Sequence, residues 1–227
     1  INFADIPILT IANQIFYFDW AFGLNNLFYI PKHGDFISKL SVLAKNVLFH
    51  TLYPFINTLF VQTSLIGNKL STKYPKSDIR VLPTPIKKNK KLLNFDGFLP
   101  KTKLLLFLSK YYPYKNFEIL IPLAKSIKKN KLPYTILITI NPFESKLANQ
   151  FLSKVRKSKL ENIIVNIGNI PFAKVNSLFS KVDALLMPTL LESYGIPYFE
   201  AMSAHKIIIT SNLPFANEVC KESAYYF

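Results

Sequence analysis

The sequence predicts an α/β protein of two domains, the second of which contains a doubly wound parallel sheet. Short apolar segments alternate with segments of helical spacing from Leu104 to Thr210. The short segments are apolar on both faces, which is typical of parallel strands that helices cover on both sides. Residues 84–100 are rich in Lys and Pro and weakly periodic, which indicates a linker. We therefore expect an N-terminal domain over 1–91 and a C-terminal domain over 92–227.

The elements of the first domain follow from apolar spacing and capping residues. Apolar runs predict strands at Ile6–Ala12, Gln14–Phe18, Leu59–Gln62 and Ile79–Pro83. Residues 37–60 have helical spacing, with an apolar face of Leu40, Leu43, Ala44, Val47, Leu48 and Thr51. Thr63 or Ser64 is expected to cap a second helix that ends near Pro75.

In the second domain, the sequence predicts a regular alternation of strands and helices. Strands are expected at Leu104–Ser109, Tyr134–Ile140, Ile163–Ile167, Ala184–Met187 and Ile207–Thr210. Helices are expected at Lys115–Asn130, Phe143–Lys157, Pro171–Lys181 and Pro197–Ala204. Alternation at this length is typical of βαβ units.

The 227-residue chain is basic, with 28 Lys and Arg against 13 Asp and Glu and a formal net charge of +15. The excess is spread: +7 up to Lys91 (11 basic, 4 acidic) and +8 beyond it (17 basic, 9 acidic). A spread basic surface favours anionic partners such as phosphorylated small molecules, acidic lipid or nucleic acid. An AT-rich genome, which enriches Lys, Asn, Ile, Phe and Tyr together, explains the composition equally well.

The single cysteine, Cys220, excludes an internal disulfide and favours a reducing compartment. No Cys/His cluster surrounds it, so we expect no metal site. The apolar stretches 6–30 and 47–66 are interrupted by polar residues and predict no spanning helix, which leaves contact with a membrane surface open. Because the chain lacks an initial Met and stops at Phe227 in a strand approach, we expect a fragment of a longer protein.

The most informative segment is DALLMPTLLESYGIPYFE, residues 183–200. A buried strand ends at Met187 and a loop carrying Glu192 follows. Gly195 then precedes a helix that is expected to have Pro197 at its first position. The amide groups of residues 194–196 are expected to face the loop mouth, a geometry that favours phosphate. The alternative is structural, with Glu200 compensating the helix dipole in the first turn and Glu192 a solvated loop acid.

A second candidate loop carries two lysines, Lys110 and Lys115, between the first strand of the second domain and the next helix. In a doubly wound sheet this loop opens at the same carboxyl edge as the segment around Glu192. Two ammonium groups there suit a diphosphate. The alternative is that both are ordinary surface lysines in a lysine-rich chain.

Together these segments resemble glycosyltransferase family 4, the group 1 glycosyltransferases of GT-B fold. The resemblance implies two Rossmann-like, doubly wound domains, the first incomplete at its N-terminus and the second at its C-terminus. The run ALLMPTLLESYGIPYFEAMSAHKIIITSNLP resembles the family's signature of a Pro-Ser-x-x-Glu-x-Phe-Gly-x-Pro core and a second Glu eight positions after the first. FLSKYYPYKN resembles its phosphate loop. FVQTSLIGNKL with IRVLPTPI resembles the end of its first domain. The double-Glu run is the specific match, and the others are weak individually.

The resemblance implies a retaining transferase that moves a sugar from a nucleotide-sugar donor to an acceptor hydroxyl, in polysaccharide or glycolipid synthesis. Lys110 and Lys115 would hold the diphosphate and stabilise charge on the leaving group. Glu192 would contact the sugar and Glu200 the ribose hydroxyls. The donor-binding amides would come from Ser193, Tyr194, Gly195 and Ile196. No metal or cofactor is implied, and the acceptor would be a glycan or lipid-linked glycan. The expected location is the cytoplasm, with peripheral contact at the inner face of the membrane.

The chain departs from the family pattern at several positions. Lys110 replaces the usual Arg and loses its bidentate fork. His205 replaces a Gly, and Thr189 replaces a Ser. Neither His33 nor His50 has a context that assigns it to the first domain's catalytic position. The alternatives are a non-catalytic nucleotide-sugar or polyanion binding module, and a GT-B epimerase or phosphorylase. Nucleic-acid binding is not expected, because basic and stacking aromatic residues do not cluster on one element.

Overall fold

A computed structural model describes residues 1–3, 5–25, 27, 31, 35–85 and 99–227. The chain folds into two compact units. The first contains Ile1–Pro85 and Leu191–Tyr194, and the second contains Ile86–Leu190 and Gly195–Phe227. The boundary expected at residue 91, and most of the expected linker, lie outside the described residues.

The first unit holds a parallel three-stranded sheet in the order β1-β2-β3. Its strands are β1 (Ile15–Phe18), β2 (Thr58–Val61) and β3 (Asp78–Val81), and its helices are α1 (Phe36–Leu52) and α2 (Ser64–Lys73). Thr63 caps α2 by accepting the Ile66 amide, as expected from the sequence. The core is aromatic and aliphatic, comprising Phe16, Phe18, Phe49, Tyr53, Leu59, Val61, Ile66 and Leu70.

Helix α1 is shorter than the predicted 37–60 and buries a different face. Asp35 caps it, accepting the Ser38 amide at 2.8 Å. It ends before the 3-10 turn Tyr53–Phe55, because Pro54 has no amide hydrogen to continue the ladder. Its buried residues are Asn46 and Phe49, whereas Leu40 and Leu48 of the predicted face are 53% and 43% exposed.

The prediction of a strand at Ile6–Ala12 is wrong, since this segment is irregular. The buried side chain of Gln14 makes hydrogen bonds to the backbone of this segment, in the place that a neighbouring strand would take. Its Oε1 accepts the Ile8 amide at 3.0 Å, and its Nε2 donates to the Ile8 carbonyl at 3.1 Å. Leu9 and Ile11 consequently remain exposed, at 72% and 108%.

A polar and aromatic cluster joins the C-terminal turns of α1 and α2. One ring nitrogen of His50 contacts the Tyr74 hydroxyl, and the other lies 2.8 Å from the Asn25 carbonyl. Lys73 Nζ lies 3.0 Å from the latter nitrogen and donates to the same carbonyl at 2.7 Å. Tyr53 stacks on Tyr74 with ring centroids 3.5 Å apart. Desolvation is the main cause that lowers the pKa of His50.

The second unit holds a parallel six-stranded sheet in the order β6-β5-β4-β7-β8-β9. Its strands are β4 (Lys103–Phe107), β5 (Tyr134–Ile138), β6 (Ile164–Asn166), β7 (Ala184–Met187), β8 (Ile207–Thr210) and β9 (Tyr225–Tyr226). Its helices are α3 (Leu120–Lys129), α4 (Lys146–Lys157), α5 (Val175–Lys181), α6 (Ile196–Ser203) and α7 (Pro214–Cys220). All four residues of β7 are buried, as a sheet covered on both faces requires.

Strand positions in this unit agree with the sequence, but α3, α4 and α5 begin later than predicted, whereas α6 begins one residue earlier, at Ile196. Helix α3 begins at Leu120 rather than Lys115, because Asn116 is left-handed (φ 59°) and two 3-10 turns precede the helix. Helix α4 begins at Lys146 because Ser145 caps it, accepting the Ala148 amide at 3.1 Å. The sequence pattern did not predict the helix Pro214–Cys220.

Candidate nucleotide-sugar site

The strand order of the second unit reverses between β4 and β7. From β4 the chain builds outward through β5 and β6, whereas β7, β8 and β9 lie on the other side. In doubly wound sheets, ligands bind outside the carboxyl ends of the strands at such a reversal. The two loops that leave this point are the lysine loop (residues 110–116) after β4 and the acid loop (residues 188–195) after β7.

Three hydrogen bonds join the lysine loop to the start of the acid loop. The Tyr114 carbonyl accepts the Leu190 amide at 2.8 Å and the Thr189 hydroxyl at 3.3 Å. The Asn116 side-chain amide donates to the Pro188 carbonyl at 3.2 Å. The lysine loop therefore fixes the backbone where the acid loop leaves β7.

The lysine loop is itself rigidly built. It contains the 3-10 turn Pro113–Lys115, which ends at the left-handed Asn116. Buried Tyr111 donates its hydroxyl hydrogen to Glu118 at 2.7 Å. Lys115 is half-buried, and its Nζ lies 5.5 Å from the centroid of the Tyr114 ring. Lys110 is more exposed, and its Nζ lies 3.5 Å from Oε1 of Glu144.

The neighbouring strand ends are tied together by side chains. The Thr139 hydroxyl, after β5, accepts the Ser109 amide at 3.1 Å. Asn166, at the end of β6, accepts the Ile140 amide at 3.0 Å and donates to the Ile140 carbonyl at 2.9 Å. These bonds hold the carboxyl ends of β4, β5 and β6 in register, so the edge is a rigid platform.

Gly195 enables a tight entry into α6. It has a left-handed backbone (φ 75°), and a Cβ there would lie 2.6 Å from Cδ2 of Tyr198. Tyr198 is fully buried, and its hydroxyl lies 2.7 Å from the Thr210 hydroxyl, which in turn donates to the Met187 carbonyl at 3.0 Å. Sequence reasoning missed Tyr198, which anchors the helix that carries Glu200 to both β7 and β8. Its place three residues after the glycine was the available signal.

Glu200 lies in the second turn of α6, not the first. The helix begins at Ile196, with Pro197 in its second position, and its first turn contains no acid. This corrects the expectation that Glu200 compensates the helix dipole, an effect confined to the first turn. Glu200 is only 9% exposed, and desolvation by burial raises its pKa to about 7. A buried carboxyl with a raised pKa is more typical of a binding or catalytic site than of a surface.

The structure separates the predicted site residues into two groups. Lys110, Lys115, Gly195, Ile196 and Glu200 belong to the second unit. The remaining three, Glu192, Ser193 and Tyr194, lie in the short segment that belongs to the first unit. Tyr194 is buried at 8% exposure.

The described part of the chain offers neither a metal site nor a membrane span. Within it, His, Cys, Asp and Glu side chains form no group of three that could hold a metal ion. None of its helices has the length and apolar character needed to cross a bilayer.

Fold and site together define an α/β protein of the doubly wound class. Comparison with known sequences makes this specific: residues 89–224 match the family model described as glycosyl transferases group 1. The match covers more than half of the chain, and the chain belongs to this family. It is 28% identical over 115 residues to the O-antigen chain mannosyltransferase RfbU of Salmonella typhimurium, covering 51% of this chain and 31% of that protein.

Solved structures share the fold. WaaG, a glycosyltransferase involved in lipopolysaccharide biosynthesis, superposes with a TM-score of 0.65 at 13% identity, over 99% of this chain and 63% of WaaG. Anabaena Alr3699/HepE in complex with UDP and glucose superposes with a TM-score of 0.63 at 14% identity, over 95% of this chain and 57% of that one. These likenesses confirm the predicted fold class. The chain spans less than two thirds of the length of each of these relatives.

Proposed function

We propose that this chain supplies the donor-binding part of a retaining glycosyltransferase. The enzyme moves a sugar from a nucleotide-sugar donor to an acceptor hydroxyl. The observation that carries the proposal is the join between the lysine loop and the acid loop at the strand reversal, through Tyr114 and Asn116. Membership of the group 1 family supports it.

The diphosphate would bind the lysine loop. Lys110 and Lys115 would neutralise its charge and stabilise the charge that develops on the leaving group as the sugar bond breaks. The rigid backbone of this loop supports the role of Lys115, because a preorganised charge needs no rearrangement at the moment of reaction. The Gly195 and Ile196 amides, at the start of α6, would add donors that have no partner within the helix.

The sugar and ribose would be held by the two glutamates. Glu200, buried in α6, would accept hydrogen bonds from the ribose hydroxyls. Glu192 would contact the donor sugar, with Ser193 and Tyr194 beside it on the acid loop. For these three residues the support is the family resemblance and their place in the sequence between Leu190 and Gly195.

The relatives indicate the setting of the reaction. RfbU is an O-antigen chain mannosyltransferase, and WaaG takes part in lipopolysaccharide biosynthesis. We propose a glycan or lipid-linked glycan acceptor, with the enzyme peripheral at the inner face of the membrane. The HepE complex with UDP and glucose supports a nucleotide-sugar donor.

Donor hydrolysis and transfer, measured with UDP-, GDP- and ADP-sugars, test the proposal. Glu192→Ala and Lys115→Ala should each lower turnover by at least about 100-fold, as expected for loss of a positioned charge. Glu161→Ala is the control, since exposed Glu161 precedes β6 at the opposite edge of the sheet. Donor binding without turnover by the unmodified protein would identify a binding module instead. Turnover unaffected by either site variant would refute the site.

A further inference from the structure

One acidic side chain beside the proposed diphosphate site, that of Glu144, has been given no role so far. Glu144 follows β5 at the carboxyl edge, and its Oε1 lies 3.5 Å from Nζ of Lys110. The Glu144 side chain is 24% exposed and that of Lys110 is 63% exposed. A carboxylate in this position opposes the binding of a diphosphate to Lys110. A site selected only for tight binding of the diphosphate would not contain it.

The loop that carries Glu144 is fixed by its own hydrogen bonds. The Asn141 side chain accepts the Phe143 amide at 3.0 Å, and the Asn141 carbonyl accepts the Glu144 amide at 3.1 Å. The next residue, Ser145, caps α4. The backbone of Glu144 is thus held independently of the ion pair. Lys110, an exposed ammonium on a flexible four-carbon stem, is the partner that can move between the carboxylate and a ligand.

We propose that Glu144 is the counter-ion of Lys110 in the diphosphate site and that it weakens binding of the nucleoside diphosphate product more than binding of the donor. The inference rests on the proposed function. A nucleotide-sugar carries about two negative charges on its diphosphate, whereas the nucleoside diphosphate product carries close to three, because a terminal phosphate ionises a second time near pH 6. Glu144 therefore repels the product more strongly than the donor, competes with it for Lys110, and favours its release after transfer.

Equilibrium binding of matched ligands tests this role at pH 7.5. UDP, GDP and ADP, and the corresponding nucleotide-glucoses, are titrated into the full-length protein and into Glu144→Gln. Neutralising Glu144 should tighten the nucleoside diphosphate by about two- to five-fold, the range of a surface ion pair. The nucleotide-sugar should tighten by a smaller factor, and the difference should shrink at 0.5 M salt. Product inhibition of turnover should strengthen by the same factor.

Glu161→Gln is the control, because it removes the same charge at the far edge of the sheet. Equal effects of the two variants would show that only net charge matters and would overturn the inference. Equal weakening of donor and product in Glu144→Gln would mark Glu144 as a structural support of the loop, and would overturn it too. If the unmodified protein binds no nucleotide ligand, the proposed function fails and this inference with it. Binding with no selective response of Glu144→Gln defeats the inference alone.

Discussion

Replacing Gly195 by Ala should destabilise the second unit more than the same replacement at Gly168. Both glycines have φ 75°, so each alanine takes up left-handed strain of about 1–2 kcal/mol. At Gly195 the new Cβ would also lie 2.6 and 2.7 Å from the ring of Tyr198, which is fully buried. At Gly168 no atom of the described residues, apart from its chain neighbours, lies within 4 Å of it.

The magnitude follows from that difference. Forcing a methyl group into a packed site costs about 1–3 kcal/mol in addition to the strain. Tyr198 cannot move away freely, because its hydroxyl contacts Thr210. We expect Gly195→Ala to lower the free energy of unfolding by about 2–5 kcal/mol and Gly168→Ala by about 1–2 kcal/mol.

Urea unfolding followed by far-ultraviolet circular dichroism measures both variants. Gly67→Ala is a second control: this glycine lies inside α2, and its Cβ would meet Val61 at an ordinary 3.4 Å. The helix should gain up to about 1 kcal/mol there. Equal losses for Gly195→Ala and Gly168→Ala would refute the proposed contact between Gly195 and Tyr198.

Three further predictions concern titration and backbone strain. Burial raises the pKa of Glu200 from 4.5 to about 7. In the native state Glu200 therefore stays protonated to a higher pH than in the unfolded state. The free energy of unfolding should fall by about 3 kcal/mol as pH rises from 4.5 through 7. In urea titrations, Glu200→Gln should remove this pH dependence. The pKa of His50 is instead lowered from 6.5, so the first unit should lose stability as pH falls below 6.5. Fluorescence of Trp20 should report this loss of stability. The variant His50→Gln should abolish the loss. His205 is left-handed (φ 52°) just after α6, where glycine is favoured; His205→Gly should raise the free energy of unfolding by about 1 kcal/mol in urea unfolding.

The sequence predicted best those features that local pattern determines. The strands Ala184–Met187 and Ile207–Thr210 contain continuous apolar runs that directly follow a charged residue, and both lie where expected. Thr63 caps α2 because its side chain needs only the amide three residues on. The order of strands and helices sufficed to place the lysine loop and the start of the acid loop at one edge of the sheet.

Features that depend on distant partners were not predicted. The Gln14 side chain replaces a strand partner for the segment near Ile8, and no local pattern reveals such a contact. Likewise, the left-handed turn at Asn116 delays α3, and its side chain binds the carbonyl of Pro188, 72 positions later. Tyr198 and Glu144 resembled ordinary core and surface residues until the fold placed them against Thr210 and Lys110.

The central claim is that the lysine loop binds a diphosphate. Its most direct test is the dissociation constant of nucleoside diphosphates and of their parent nucleosides, compared between the unmodified protein and Lys115→Gln. Loss of a charge-assisted bond should weaken the preferred diphosphate by about 10- to 100-fold and leave its nucleoside unchanged. Lys181→Gln, an exposed lysine at the end of α5, should change neither ligand. Equal weakening of diphosphate and nucleoside, or no weakening at all, would contradict the claim.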